Sequence, residues 1–426
     1  MRAIIYPSAL KGVLKAPASK SMTLRAIAAA TMAKGTSIIK GASLCDDAMA
    51  ALDIAKSLGA TVDIKGNKFT ISGNFSAAET TLSARESALC VRMFAPIAAL
   101  LDTPLTITGS GSLQHRPMQM IDEALSQLGA SCKPVSNAET MAWRIAGPLN
   151  GGNLSINGHE TSQLLTGLLM ALPLTSVNSE INVKNLVSKN YVDMTIQLLR
   201  QFGVVINKQS DEYYKIRGRQ RYSANEYTVE GDWSGAAFLL VAAALSGDVT
   251  VQNLYGNTKQ PDSCILKTLT LVGAAISVSE QEVSLSKDST ALRPFNFDAG
   301  ESPDLVPPLV ALAAQCNGIS MIYGINRLKI KESSRAEALQ QEFARIGVHI
   351  DLADDTMKIH GGTLAVEEDV VHAHNDHRIA MALAVAACSA DKPLTIEGAE
   401  CVSKSYPNFF ADLKKLRVGV TIEDNI

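Results

Sequence analysis

The sequence predicts an α/β (α+β) protein of two similar domains, each built from three β-α-β-α-β-β repeats with buried helices. Three observations predict it. The chain has 426 residues, too many for one ordinary domain. A helix running into Leu-Gly-Ala or a near copy, then into a strand, recurs along the whole chain at a spacing of about seventy residues, and a fixed period sets architecture before any local reading. Upstream of these motifs lie Ala- and Leu-rich segments that are apolar all round, as a helix packed on several sides must be.

In chain order, Arg2 to Tyr6 alternates as a strand that precedes the first helix and is expected to complete the C-terminal half. The segments TLRAIAAATMAKG, VRMFAPIAALLDT, SGAAFLLVAAALSGD and DHRIAMALAVAACSAD are the buried helices, each followed by a short turn and a strand. The second helix of each repeat ends at Gly59, Gly129, Gly203, Gly273, Gly347 and Gly419, because a residue just past a helix end takes a left-handed conformation that glycine adopts without steric cost. Polar turns at Lys65-Gly66-Asn67, Ser210-Asp211-Glu212 and Asp354-Asp355 close hairpins of the strands that follow. The expected domains are 15–230, and 1–14 with 231–426, with a cleft between them.

Composition excludes several classes. Hydrophobic residues are 46% and charged residues 19%, so the chain folds around a large core. Lys+Arg 39 against Asp+Glu 42, net charge −3, disfavours a nucleic-acid partner. The start MRAIIYPSALKG lacks the apolar stretch of a signal peptide, and the longest apolar run, Ala236 to Leu245, is too short to cross a membrane. Seven scattered cysteines without C-x-x-C suggest reduced thiols and a cytoplasmic location.

Charged and hydroxyl residues fall at matching places in the repeats. One set opens the buried helices: Ser19-Lys20-Ser21 with Arg25, Glu86-Ser87-Ala88 with Arg92, Thr161-Ser162-Gln163, Asp232 with Ser234, Asp304, and Asp376-His377-Arg378. The other lies in the loop before the second helix: Asp46-Asp47, His115-Arg116, Ser188 to Tyr191, Lys259, Lys331 to Arg335, and Lys404 to Tyr406. For Ser, Thr and Asp, plain helix capping is the bland alternative. Cations at helix starts are disfavoured by the helix dipole, so Lys20, Arg116, Arg335, Arg378 and Lys404 call for a compensating anion, such as a multiply charged ligand. No P-loop, dinucleotide fingerprint or G-x-S-x-G is present. His372, His374 and His377 form H-x-H-x-x-H, for which a structural role is favoured over metal binding.

S-K-S-x-T-x-R-A, S-K-x-Y, K-E-S-x-R, D-H-R-I-A-M and C-V-S-K-S-Y-P, taken together over the whole chain, resemble the EPSP synthase (3-phosphoshikimate 1-carboxyvinyltransferase) family. The resemblance implies an inside-out α/β barrel in each half, with sheets outside. It implies transfer of the enolpyruvyl group of phosphoenolpyruvate to the 5-hydroxyl of shikimate 3-phosphate, without metal or cofactor, by a cytoplasmic monomer whose partners are these small molecules. It places shikimate 3-phosphate on Lys20, Ser21, Arg25, Thr161, Ser162, Gln163, Ser188, Tyr191, Asp304 and Lys331. It places phosphoenolpyruvate on Lys20, Ala88, Arg116, Gln163, Arg335, Arg378 and Lys404. Asp304, Glu332 and Lys20 are the catalytic residues it implies, the two carboxylates acting from opposite domains. The chain departs from the family pattern at Glu86 to Arg92, where most members have N-A-G-T-x-x-R, and at Thr161, Asn190 and Ser334. The main alternative is UDP-N-acetylglucosamine 1-carboxyvinyltransferase, whose members commonly carry a Cys in the mobile loop, absent from Gly109 to Pro117 here. An RNA 3′-phosphate cyclase and a non-catalytic anion-binding repeat protein are remoter alternatives.

Overall fold

The computed structural model describes residues 1–135, 141–286 and 291–424. The chain divides into two compact units, Met1–Pro17 with Glu230–Ile426, and Ala18–Val229. Each has its own apolar core.

Among the described residues, six four-stranded sheets account for the repeats, three in each unit. The first consists of Glu226–Thr228, Gly35–Lys40, Lys68–Gly73 and Thr61–Lys65 in spatial order. A short edge strand runs parallel to the strand after the buried helix, and an antiparallel hairpin completes the sheet. The same arrangement recurs in four others, and in the sixth Arg2–Tyr6 takes the place of one hairpin strand. Parallel pairs need a crossover, which the repeat's own buried helix supplies in four of these sheets.

Two strands sit away from their neighbours in sequence. Leu10–Lys15, just ahead of the first buried helix, pairs with Gly247–Gln252 of the fourth repeat. Glu226–Thr228, just ahead of the fourth, pairs with Gly35–Lys40 of the first. The two repeats thus exchange edge strands, so the chain leaves the first unit after Pro17 and returns to it at Glu230, while Ala18–Val229 is continuous. Arg2–Tyr6 lies between Leu394–Glu397 and Gly419–Glu423, antiparallel to both. The first strand of the chain therefore supplies the strand that the sixth repeat lacks.

The buried helices are Lys20–Met32, Ala88–Ala98, Gln163–Ala171, Trp233–Ser246, Val306–Ala313 and His377–Ala387. All residues of Trp233–Ser246 and His377–Ala387 are buried. Helices Trp233–Ser246, Val306–Ala313 and His377–Ala387 pack on one another, and the many alanines keep them narrow enough to do so. The helices are inside and the sheets outside, as an inside-out α/β fold requires.

The glycine stops hold at five places. Gly59 has φ +85, and a Cβ there would meet the Asn74 carbonyl oxygen at 2.3 Å, so this position admits no side chain. The sixth is a correction. The helix Phe409–Lys415 is followed by Arg417, which takes the left-handed conformation with φ 71. Gly419 instead begins a strand. The motif copy LRVG is shifted by two residues, and an arginine bears the strained position.

All seven cysteines are free, and six of them are buried. Among the described residues, no helix is long and apolar enough to cross a membrane.

Candidate functional site

Helix starts organise the charged residues in both units. In Ala18–Val229, Ser19 caps helix Lys20–Met32 by accepting from the Met22 amide, and Ser87 caps Ala88–Ala98 by accepting from the Cys90 amide at 3.4 Å. In the other unit Asp232 accepts from the amides of Ser234 and Gly235, and Asp376 accepts from the Arg378 amide at 2.9 Å. Capping explains these four residue types locally.

In the unit containing residues 230–426, the loop after each central strand folds as a short 3₁₀ turn: Pro261–Cys264, Asn326–Ile330 and Ala399–Lys404. Lys331 follows the second of these turns and Lys404 closes the third. In the other unit Arg116 follows the turn Gly111–His115. Arg116 and Lys404 are therefore at 3₁₀ ends and not at helix starts, which corrects the reading from sequence. Arg335 and Arg378 do open helices, at Arg335–Ala344 and His377–Ala387.

Around Asp304 a charge cluster forms. Its Oδ1 lies 3.0 Å from Arg335 Nη1 and 3.5 Å from Lys331 Nζ, and its Oδ2 lies 3.2 Å from Arg378 Nη2. Arg335 also donates to Glu332 at 2.6 Å and to both oxygens of Asp376, at 2.9 and 3.2 Å. Three carboxylates thus meet three cations, which corrects two expectations. Arg335 and Arg378 find their counter-charges within the protein, because loop and helix-start residues converge that are remote in sequence. Asp304 and Glu332 also stand in the same unit and share one guanidinium, so they do not act from opposite domains.

Burial tunes this cluster. It would by itself lower Arg335, but Asp376, Glu332 and Asp304 outweigh it and hold that guanidinium charged. Lys331 falls to about 8, because burial, with Arg335 and Arg327, outweighs Asp304 and Glu332. Asp262 is buried, accepts a hydrogen bond from the Ser234 hydroxyl, and rises to about 6 through burial and the nearby charge of Asp304. Lys404 donates to the Asn375 carbonyl and side-chain oxygens, each at 2.8 Å.

In Ala18–Val229 the predicted residues form a second cluster. Lys20 pairs with Asp47 at 2.9 Å. Arg25 is buried and donates to the Thr195 hydroxyl at 2.8 Å, the Ser21 carbonyl at 2.8 Å and the Thr166 hydroxyl at 3.3 Å. It also reaches the Tyr191 carbonyl at 3.5 Å. Burial lowers it to about 10. Arg25 thus ties Ser21, Thr166 and Tyr191 together across three helices. Thr161 accepts from the Gln163 amide at 3.1 Å, and Gln163 Oε1 accepts from Arg92 at 3.0 Å. Ser188 is buried and left-handed, with φ 54 and ψ 46, at the start of Lys189–Gln201. A non-glycine residue held there stores strain that commonly marks a functional site. Ala88 is buried as the first residue of its helix, and Leu89 packs into the core.

A sequence model of the family described as "EPSP synthase (3-phosphoshikimate 1-carboxyvinyltransferase)" matches residues 5–413. Curated relatives named 3-phosphoshikimate 1-carboxyvinyltransferase match over nearly the full length. One from Methanocella arvoryzae is 37% identical over 427 residues, covering 99% of this chain and 100% of its own. One from Methanocorpusculum labreanum is 36% identical over 421 residues, covering 98% of both chains. The chain belongs to the EPSP synthase family. Its fold is also that of a solved EPSP synthase from Acinetobacter baumannii, with TM-score 0.83 at 24% identity over 99% of this chain and 100% of that one. The enolpyruvyl transferase NikO from Streptomyces tendae shares the fold, with TM-score 0.79 at 17% identity over 99% and 98% of the two chains.

Within this EPSP synthase family chain, sequence reasoning missed Asp262. It also left Asp47, Arg92 and Asp376 out of the site, although each hydrogen-bonds one of its predicted residues or an immediate neighbour in the sequence motif. The available signal for Asp262 was its place in the loop that bears Lys331 and Lys404 in other repeats. His372 and His374 lie with Glu397 and Glu342, at 3.2 and 2.6 Å, and His377 is buried in its helix.

Proposed function

We propose that this chain transfers the enolpyruvyl group of phosphoenolpyruvate to the 5-hydroxyl of shikimate 3-phosphate, giving 5-enolpyruvylshikimate 3-phosphate and phosphate. The observation that carries the reading is Asp304 held by Lys331, Arg335 and Arg378, in a chain whose full-length relatives bear that activity's name. A plain anion trap gains nothing from carboxylates among its cations, whereas a proton-transferring transferase needs them.

In this reading Lys20, Ser21, Arg25, Thr161, Ser162, Gln163, Ser188 and Tyr191 serve shikimate 3-phosphate from Ala18–Val229, where Ala88 and Arg116 serve phosphoenolpyruvate along with Lys20 and Gln163. Arg335, Arg378 and Lys404 serve phosphoenolpyruvate from the other unit. The 3.2 and 3.5 Å contacts of Asp304 with Arg378 and Lys331 are longer than the 2.6 Å bond between Arg335 and Glu332. They are the contacts an incoming phosphate or carboxylate replaces at least cost, because charge-assisted bonds weaken with length.

Addition forms a bond from the 5-oxygen to C2 of phosphoenolpyruvate, while Asp304 takes the hydroxyl proton and Glu332 delivers a proton to the methylene carbon. Elimination breaks the bond from C2 to the phosphate oxygen, returns the methyl proton to Glu332, and restores the vinyl group. The hydroxyl proton leaves with phosphate. Lys20 and the arginines stabilise the charge that gathers on the departing phosphate. The protein acts as a cytoplasmic monomer on these two small molecules, with no nucleic-acid or membrane partner.

The test is phosphate release with and without shikimate 3-phosphate. Release that requires shikimate 3-phosphate supports the reading. Release that requires UDP-N-acetylglucosamine instead, or none with either, overturns it.

A further inference from the structure

We infer that His349, Asp351 and His360 form a binding site for a divalent transition-metal ion on the sheet of strands Asn296–Asp298, Gly318–Tyr323, Thr356–Gly361 and His349–Ala353. The inference is independent of the proposed reaction, since none of the three residues belongs to either charge cluster.

Register brings them together. His349 and His360 stand directly opposite each other on antiparallel strands, where side chains are close neighbours. Asp351 is two residues along from His349 and so shares its face. The two rings have centroids 4.9 Å apart. Both turn Nε2 to the one carboxylate, His349 to Oδ1 at 3.0 Å and His360 to Oδ2 at 2.9 Å. One ligand atom from each residue lies within 4.8 Å of the others. A four-coordinate ion with bonds of about 2.0–2.2 Å to such donors holds them roughly 3.3–3.5 Å apart. All three side chains are at least partly exposed, His349 at 70%, so small rotations close that gap.

The donors select the ion. Two imidazoles and one carboxylate suit zinc, nickel or copper, whereas magnesium and calcium prefer oxygen alone. The remaining coordination positions fall to water. Lys358 lies opposite Asp351 on the same face, and its charge opposes a cation. The affinity is therefore modest, and Lys358 becomes a handle on it. Among the described residues, His372 and His374 make no comparable set, because each is drawn to a different glutamate.

The test is calorimetric titration of the full chain, free of any histidine tag, with zinc chloride and separately with magnesium chloride. The expected result is one zinc equivalent and no magnesium binding. Loss of an outer partner of a metal site already costs about 10–100-fold, so His349→Gln and His360→Gln should each weaken zinc at least tenfold. Asp351→Asn should do likewise, although it still accepts a hydrogen bond, and Lys358→Gln should tighten zinc. A readout that needs no folded variant is NMR: substoichiometric nickel should broaden the ring protons of His349 and His360 first. Absence of zinc binding, equal binding by wild type and variants, or loss only in His372→Gln and His374→Gln would overturn the inference and leave a hydrogen-bonded triad.

Discussion

Arg335 and Asp376 meet edge to edge, Nε to Oδ2 at 2.9 Å and Nη2 to Oδ1 at 3.2 Å, with neither side chain exposed to solvent. The pair joins two helix starts, because Asp376 also caps His377–Ala387 through the Arg378 amide. Removing one partner of a buried pair leaves the other charge uncompensated, at a cost of about 3–5 kcal/mol. Asp376→Ala loses the cap as well, typically ~1 kcal/mol more. Urea denaturation should therefore show Asp376→Ala among the least stable single variants. Asp376→Ala with Arg335→Leu should be less destabilised than the two single effects added together. Simple additivity would mean that the pair carries no coupling.

Arg378→Ala and Lys404→Ala should weaken phosphoenolpyruvate while the protein stays folded. A hydrogen bond to a charged group contributes roughly 1.5–3 kcal/mol, or about tenfold or more in affinity. Calorimetry on both variants checks this, and unchanged affinity in both removes the assigned site.

Asp304→Asn and Glu332→Gln keep shape but cannot ionise. Turnover should fall by about 10²–10⁴-fold in each if each moves a proton. A variant turning over near the wild-type rate loses its assigned role. Because both carboxylates bond Arg335, the double variant should fall short of the product of the two losses.

Lys331 gives a pH signature. Its ammonium is held down to about 8, chiefly by burial. Between about 8 and the usual lysine value of 10.5 the unfolded chain carries more protons there, so this group makes stability rise with pH across that window. An incoming dianion favours the ammonium and raises it. Substrate binding near the alkaline end of the assay range should thus take up protons, measured by calorimetry in buffers of different ionisation enthalpy. Lys331→Met should abolish the uptake, and persistence of the uptake in that variant assigns it elsewhere.

Ala88 stands where most of the family has glycine, at the place that the resemblance gives to phosphoenolpyruvate, and glyphosate, a phosphonate anion, serves as a probe of the space there. It is buried as the first residue of its helix, and close-packed sites accept extra atoms poorly. Glyphosate is the longer molecule, so the methyl should exclude it more. Ala88→Gly should become more sensitive to glyphosate at the same multiple of the phosphoenolpyruvate KM. Unchanged or weaker inhibition shows that the methyl is not the cause.

The sequence by itself determined the repeat, the buried helices, the hairpin turns and the family. These depend on local signals: apolar faces, left-handed glycines such as Gly59, and short motifs around Lys20, Lys331 and Arg378 that survive without knowledge of neighbours. It misread Gly419, because the same motif can end on Arg417 when the helix stops two residues earlier. Only the tertiary structure decided that Leu10–Lys15 and Glu226–Thr228 exchange sheets, since their partners lie some two hundred residues away and an edge strand carries no mark of its partner. It also decided which anion meets each cation. Arg335 is separated from Asp304 by 31 residues and from Asp376 by 41, and their pairing depends on two helix starts and a 3₁₀ turn converging. For the same reason Asp262, and the His349 and His360 pair across a hairpin, became visible only in three dimensions.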